Sequence, residues 1–143
     1  MVIYGIYLLD NDQSAINGVT KEVPWRKNGF DVIGSNTDPN RAVQEIMTLR
    51  PVLVIYEWRI GGIALMNRLR AAGVDCDYII LTDCQSLSAL RNFFANGGLD
   101  YLLKPLDKRE AETALAKLRT RRFTAGNYGA VRQEQQRQGG MKL

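Results

Sequence analysis

Asp10-Asn11-Asp12, Glu57, Thr82-Asp83 and Lys104-Pro105 share one feature of placement: each follows directly on a short apolar run. Carboxylate and amide oxygens suit a hard cation such as Mg²⁺, while a hydroxyl and an ammonium suit the oxygens of a phosphoryl group. Singly, each has a plainer role, because an Asp after a strand commonly caps a helix and a Lys-Pro pair commonly makes a turn. All four at the same end of successive strands form a chemically complementary set. In an open parallel sheet, that end is where sites assemble.

The elements that must position this set are written in the hydrophobic pattern. Five apolar runs recur along the chain: Val2 to Leu9, Asp31 to Gly34, Val52 to Tyr56, Tyr78 to Leu81 and Asp100 to Leu103. Most are nearly continuous rather than alternating, as expected of strands buried on both faces of a parallel sheet. Between and after them lie stripes at helical spacing: Ala15, Val19 and Val23; Ala42, Val43, Ile46 and Leu49; Ile63, Leu65, Met66 and Leu69; Leu87, Leu90, Phe93 and Phe94; Ala111, Ala114, Leu115 and Leu118. We read all five stripes as core-facing. Asp38-Pro39 and Asp107 supply helix starts, and Gly73 and Gly97-Gly98 supply stops. Strands alternating with helices predict an α/β domain with a parallel sheet and right-handed crossovers.

Composition narrows the chemistry further. The chain has 143 residues, 45% of them apolar, enough for one sizeable core. It has no histidine, which removes the commonest general base and zinc ligand. Cys76 and Cys84 have neither CxxC spacing nor the density of a disulfide scaffold and read as reduced thiols. No apolar run approaches the ~20 residues of a membrane span, and no export signal is visible, so the expected location is cytoplasmic. The net charge of +4 is uneven: residues 1–103 hold nine basic and eleven acidic groups, a balance of −2, and residues 104–143 hold ten and four, a balance of +6. The pattern ends after Phe123, which predicts one domain over 1–123 and a flexible basic tail or linker over 124–143. Lys117, Arg119, Arg121 and Arg122 crowd the end of the last helix, where cations complement the helix dipole and are expected to be solvated.

The motifs resemble the receiver domains of two-component response regulators from about Val2 to Arg122. Leu8-Leu9-Asp10-Asn11-Asp12 matches the acidic loop, Pro51 to Arg59 the strand carrying the phosphoacceptor, Ile79-Ile80-Leu81-Thr82 the switch-hydroxyl strand, and GLDYLLKP, Gly98 to Pro105, the strand ending in the phosphoryl-binding lysine. The stretch VPWRKNGFDVIG, Val23 to Gly34, together with YLLKP, is most similar to receivers attached to AraC-type DNA-binding domains. The resemblance implies a flavodoxin-like (CheY-like) three-layer fold with a five-stranded parallel sheet ordered 2-1-3-4-5. It also implies a phosphoryl group accepted from a histidine kinase with Mg²⁺ as cofactor. Thr82, Tyr101 and Lys104 would be the switch residues, and Asp10, Asn11, Glu57 and the Arg59 backbone carbonyl the metal ligands.

The departures from the family pattern fall at the site itself. Glu57 stands where the phosphoacceptor aspartate belongs, Asn11 replaces the second acidic residue, and the loop after the acceptor is a shorter Ile60-Gly61-Gly62. Asn11 removes one formal charge, so Mg²⁺ binding is expected to be weak. Glu57 reaches about 1.5 Å further than an aspartate, and in-line phosphoryl transfer tolerates little misplacement. Phosphorylation is therefore expected to be absent or very slow. The longer carboxylate can reach toward Lys104 and Thr82, which leaves two readings: an always-on mimic of the phosphorylated state, or an ion pair that holds a retired site together.

The expected function is that of a non-enzymatic pseudo-receiver with no catalytic residues, binding a histidine kinase or another signalling protein. A homodimer through the fourth helix, fifth strand and fifth helix is expected, with no membrane contact. Direct nucleic-acid binding is not expected, because the tail lacks a helix-turn-helix pattern and interleaved aromatics. The alternative is a phosphorylatable receiver of a DNA-binding transcriptional regulator. A flavin carrier or enzyme on the same fold is disfavoured by the lack of a Gly-rich phosphate cradle.

Overall fold

The computed structural model describes residues 2–124. Five strands, β1 (Tyr4–Leu9), β2 (Phe30–Asn36), β3 (Leu53–Tyr56), β4 (Asp77–Thr82) and β5 (Asp100–Leu103), form one sheet in the order β2-β1-β3-β4-β5. Every pairing is parallel. Between and after them run α1 (Gln13–Glu22), α2 (Pro39–Leu49), α3 (Trp58–Ala71), α4 (Leu87–Ala95) and α5 (Lys108–Thr124). This is the CheY-like receiver fold, and each expected apolar run contains or forms the core of a strand. The expected tail over 124–143 lies outside the described residues, apart from Thr124, which ends α5.

Strand alternation sends successive side chains to opposite faces, and the core divides accordingly. Ile6, Leu8, Leu53, Ile55, Ile79 and Leu81 pack with Ile16 and Val19 of α1 and with Ala111, Ala114, Leu115 and Leu118 of α5. Tyr7, Leu9, Val54, Tyr56 and Ile80 pack on the other side with residues of α2 and α3 and with Phe93 of α4. Burial of each large aliphatic side chain contributes about 1.5–3 kcal/mol, and the side chains ending β1 and β3 at Leu9 and Tyr56 are almost wholly buried. The rigid strand ends thus hold the residues that follow them.

The expected punctuation is present. Asp38 accepts the Asn40 N–H at 3.0 Å with Pro39 at the first helical position, and Asp107 accepts the Arg109 N–H at 2.8 Å. Gly73 and Gly97 take positive φ of 76° and 94° just past α3 and α4, a conformation that favours glycine.

Two readings of the pattern need correction. Of the α4 stripe only Phe93 is buried, Leu90 is half-buried, and Leu87 and Phe94 are exposed; Leu49 of the α2 stripe is exposed as well. Helical spacing reports which side chains share a face, not what lies opposite, and Phe94 of α4 meets Tyr101 of β5, a four-residue strand at the sheet's edge. The cations at the end of α5 are not all solvated. Arg122 is buried and donates from Nε to Asp77 Oδ2 at 3.0 Å, Arg119 donates to the Asn28 carbonyl at 2.7 Å, and Lys117 pairs with Asp100 at 3.0 Å.

Candidate functional site

The order of the sheet reverses at β1 and β3, and the acidic residues stand at the carboxyl ends of those two strands. Asp10, buried, follows β1; its Oδ1 accepts the Asp12 N–H at 2.9 Å. Asp12 serves the helix start: its carboxylate takes the Ser14 N–H at 2.9 Å and the Ser14 hydroxyl at 2.7 Å, capping α1. Asn11 between them is exposed.

Glu57 follows β3 and is nearly fully buried. Glu57 caps a single helical turn, and at the expected Ile60-Gly61-Gly62 loop the chain breaks before α3 continues. The glycines shape this break. Gly62 adopts φ 52°, ψ −153°, the Tyr56 hydroxyl donates to its carbonyl at 2.8 Å, and a Cβ on Gly61 would come within 2.7 Å of the Tyr56 ring. The tight turn brings the Arg59 N–H to Glu57 Oε2 at 3.1 Å.

Thr82 ends β4, almost wholly buried, and its hydroxyl donates to Glu57 Oε2 at 2.7 Å while accepting the Cys84 N–H at 3.1 Å. Lys104 follows β5, tied to β4 by its N–H to the Thr82 carbonyl at 3.0 Å and joined to Pro105 by a cis peptide bond. Its ammonium donates to Asp10 Oδ2 at 2.7 Å and to Glu57 Oε1 at 3.0 Å. The structure therefore brings Asp10, Glu57, Thr82 and Lys104 into one hydrogen-bonded group.

Electrostatics favour the ionised forms of Glu57 and Lys104. Burial pushes the Glu57 carboxyl up, but the hydrogen bonds from Thr82, the Arg59 N–H and Lys104 outweigh it and hold it below its ordinary value. Burial likewise pushes the Lys104 ammonium down, and its bonds to Asp10 and Glu57 carry it above the ordinary lysine range.

Two expected residues stand differently. Tyr101 is not part of the group: its ring is exposed on the surface, edge-on to Phe94 with ring centroids 6.1 Å apart. Arg59, expected to matter through its carbonyl, reaches the site with its side chain. The guanidinium hydrogen-bonds Asp83 and lies 3.7 Å from Glu57 Oε1. Sequence reasoning missed this pairing, though Arg59 and Asp83 each stand two residues or fewer past a strand-end site residue.

A divalent cation needs several free oxygens converging on one point. Here each oxygen of Asp10 and Glu57 already holds a donor, and among the described residues no three acidic, Cys or His side chains converge to hold a metal. Mg²⁺ bound here would have to compete with these donors for the carboxylate oxygens.

No family model matches the chain. It is 29% identical over 119 residues to the transcriptional regulatory protein HptR of Staphylococcus aureus, across 81% of this chain and 46% of that protein. It is 28% identical over 116 residues to an uncharacterized response regulatory protein of Staphylococcus epidermidis, across 79% and 45%. The chain spans about half the length of the curated relatives it matches. Among solved structures, the REC domain of AraT, a response regulator from Geobacillus stearothermophilus, superposes with a TM-score of 0.73 at 20% identity, over 96% of this chain and 99% of that one. A response regulator receiver domain protein from Clostridium thermocellum gives 0.72 at 15%, over 83% and 96%. CheY in the CheX-CheY-BeF3-Mg²⁺ complex from Borrelia burgdorferi gives 0.70 at 14%, over 80% and 88%. The fold is that of response regulator receiver domains, and the sequence relatives are described as a transcriptional regulatory protein and a response regulatory protein.

Proposed function

We propose that this domain is a pseudo-receiver: a signalling module whose site is held closed by Glu57 and which acts by binding other proteins, without phosphoryl transfer or turnover of its own. The observation that carries the reading is the engagement of both Glu57 oxygens, Oε1 by Lys104 and Oε2 by Thr82 and the Arg59 N–H. An acceptor carboxylate must present a free oxygen in line with the incoming phosphorus, and this one is already bonded on both sides.

Exposed apolar side chains support such a role. Leu87, Phe94 and Tyr101 are 80%, 42% and 38% exposed on α4 and β5, and apolar groups clustered on a surface favour partner contact. A histidine kinase, another signalling protein or a second copy of this chain is the proposed partner. Tyr101 stays on the surface although the Thr82 hydroxyl is bonded to Glu57, which favours a site uncoupled from the face over an always-on mimic. The proposed location is cytoplasmic; no helix among the described residues is long and apolar enough to cross a membrane.

The test is incubation with acetyl phosphate and Mg²⁺ followed by intact mass spectrometry. No mass gain is expected, and a stoichiometric gain of one phosphoryl group that disappears in Glu57→Gln overturns the reading. Self-association measured on Glu57→Gln separates the two forms of it: no change fits the retired site, weakening fits the mimic. A second reading, a phosphorylatable receiver governing transcription, is favoured by the description of the Staphylococcus aureus relative as a transcriptional regulatory protein. The likeness to AraC-type receivers belongs to that reading.

A further inference from the structure

The side chain of Arg59 has no part in the roles considered so far, yet it sits at the mouth of the site. We propose that Arg59 and Lys104 are the site's resident cations, which keep the carboxylates closed without a divalent metal and exclude one. The inference deepens the closed-site reading and rests on it.

Three acidic side chains face the group, Asp10, Glu57 and Asp83, and two fixed cations answer them. Lys104 bridges Asp10 and Glu57 at 2.7 and 3.0 Å. Arg59 bridges Glu57, at 3.7 Å, and Asp83. Glu57 Oε1 therefore lies between an ammonium and a guanidinium, and a divalent ion bound there would have both as near neighbours of like charge. The Arg59 guanidinium cannot yield by losing its proton, because it stays charged throughout the accessible range.

The backbone places Arg59 for this. The turn capped by Glu57, ahead of the break at Gly62, carries the residue two positions on back over the cap, with its N–H on Glu57 Oε2 and its side chain across to Asp83, which follows β4. Mg²⁺ surrenders its water only to a near-octahedral set of oxygens, and here the oxygens have been turned toward nitrogen donors.

The experiment is Mn²⁺ titration of the full chain, read by the electron paramagnetic resonance signal of free Mn²⁺. The native chain is expected to bind none up to roughly 1 mM. Arg59→Ala is expected to bind at least about tenfold more tightly than the native chain, and Arg59→Lys, which keeps the charge, to behave as native. Arg59 is 55% exposed in its side chain, so the variants should fold; circular dichroism checks this. Sub-millimolar Mn²⁺ binding by the native chain, or equal affinity in Arg59→Ala, overturns the inference. Mn²⁺ binding without phosphoryl gain defeats this inference alone, whereas phosphoryl gain defeats the proposed function.

Discussion

Strand β4 carries a buried acid–base cluster at each end, and the two are built from similar residues for different ends. At its start, Asp77 is clamped by Arg122 at 3.0 Å and Arg121 at 3.2 Å, and Arg122 also donates to the Val52 carbonyl at 3.4 Å. At its finish, Thr82 bonds Glu57, which with Asp10 holds Lys104. The first cluster ties the end of α5 to the amino edge of the sheet and is sealed, with the Arg122 side chain 8% exposed. The second stands at the carboxyl edge of the sheet, where sites assemble in open parallel sheets, and its Lys104 side chain is 26% exposed. Acid–base pairs alone do not mark a site; their place on the sheet, their access to solvent and the presence of a hydroxyl do.

If this contrast holds, breaking the sealed cluster should cost most. Arg122→Ala leaves Asp77 buried with only the more exposed Arg121, and a destabilisation of about 3 kcal/mol is expected in urea unfolding. Lys104→Met leaves two buried carboxylates facing each other and should cost about 2 kcal/mol at neutral pH. A larger loss for Lys104→Met than for Arg122→Ala would reverse the comparison.

Smaller effects sharpen it. Thr82→Val removes one hydrogen bond to a charged group and should cost about 1.5 kcal/mol. Acid titration of stability comes next. The folded-state value of Glu57 lies below its ordinary 4.5, so its contribution is complete above that pH and is lost as pH falls through the lowered value. Lys104 is the opposite case: its contribution is complete below its ordinary 10.5 and is lost as pH rises through the raised value. Glu57→Gln should therefore flatten the fall in stability below pH 4.5 seen by unfolding at stepped pH. An unchanged acid limb would show that Glu57 makes no net favourable contacts.

The fold was largely legible because its signals are local. Continuous apolar runs, the Asp38-Pro39 start and the Gly73 and Gly97 stops each act within a few residues, and β5 begins and ends where its apolar run does. The site was legible because strand ends in a parallel sheet converge, so Asp10, Glu57, Thr82 and Lys104 could be brought together from topology alone. Pairings between distant residues were not. Arg122 looked like any cation at a helix end, and its partner Asp77 lies 45 residues away. The available signal was Asp77 itself, a charged residue opening a strand otherwise buried throughout, which must find a counter-charge. The α4 stripe misled for the converse reason: its spacing is that of a core helix, but the strand that Phe94 meets, β5, is the edge of the sheet.

The central claim is that Glu57 is an ionised, fully bonded lock between Thr82 and Lys104. It is tested most directly by following the Glu57 side-chain carboxyl carbon through an acid titration by nuclear magnetic resonance, with Glu57→Gln to assign the signal. The bonds from Thr82, the Arg59 N–H and Lys104 predict a midpoint below 4.5. A midpoint above 4.5, as burial without those partners would give, would contradict the closed site.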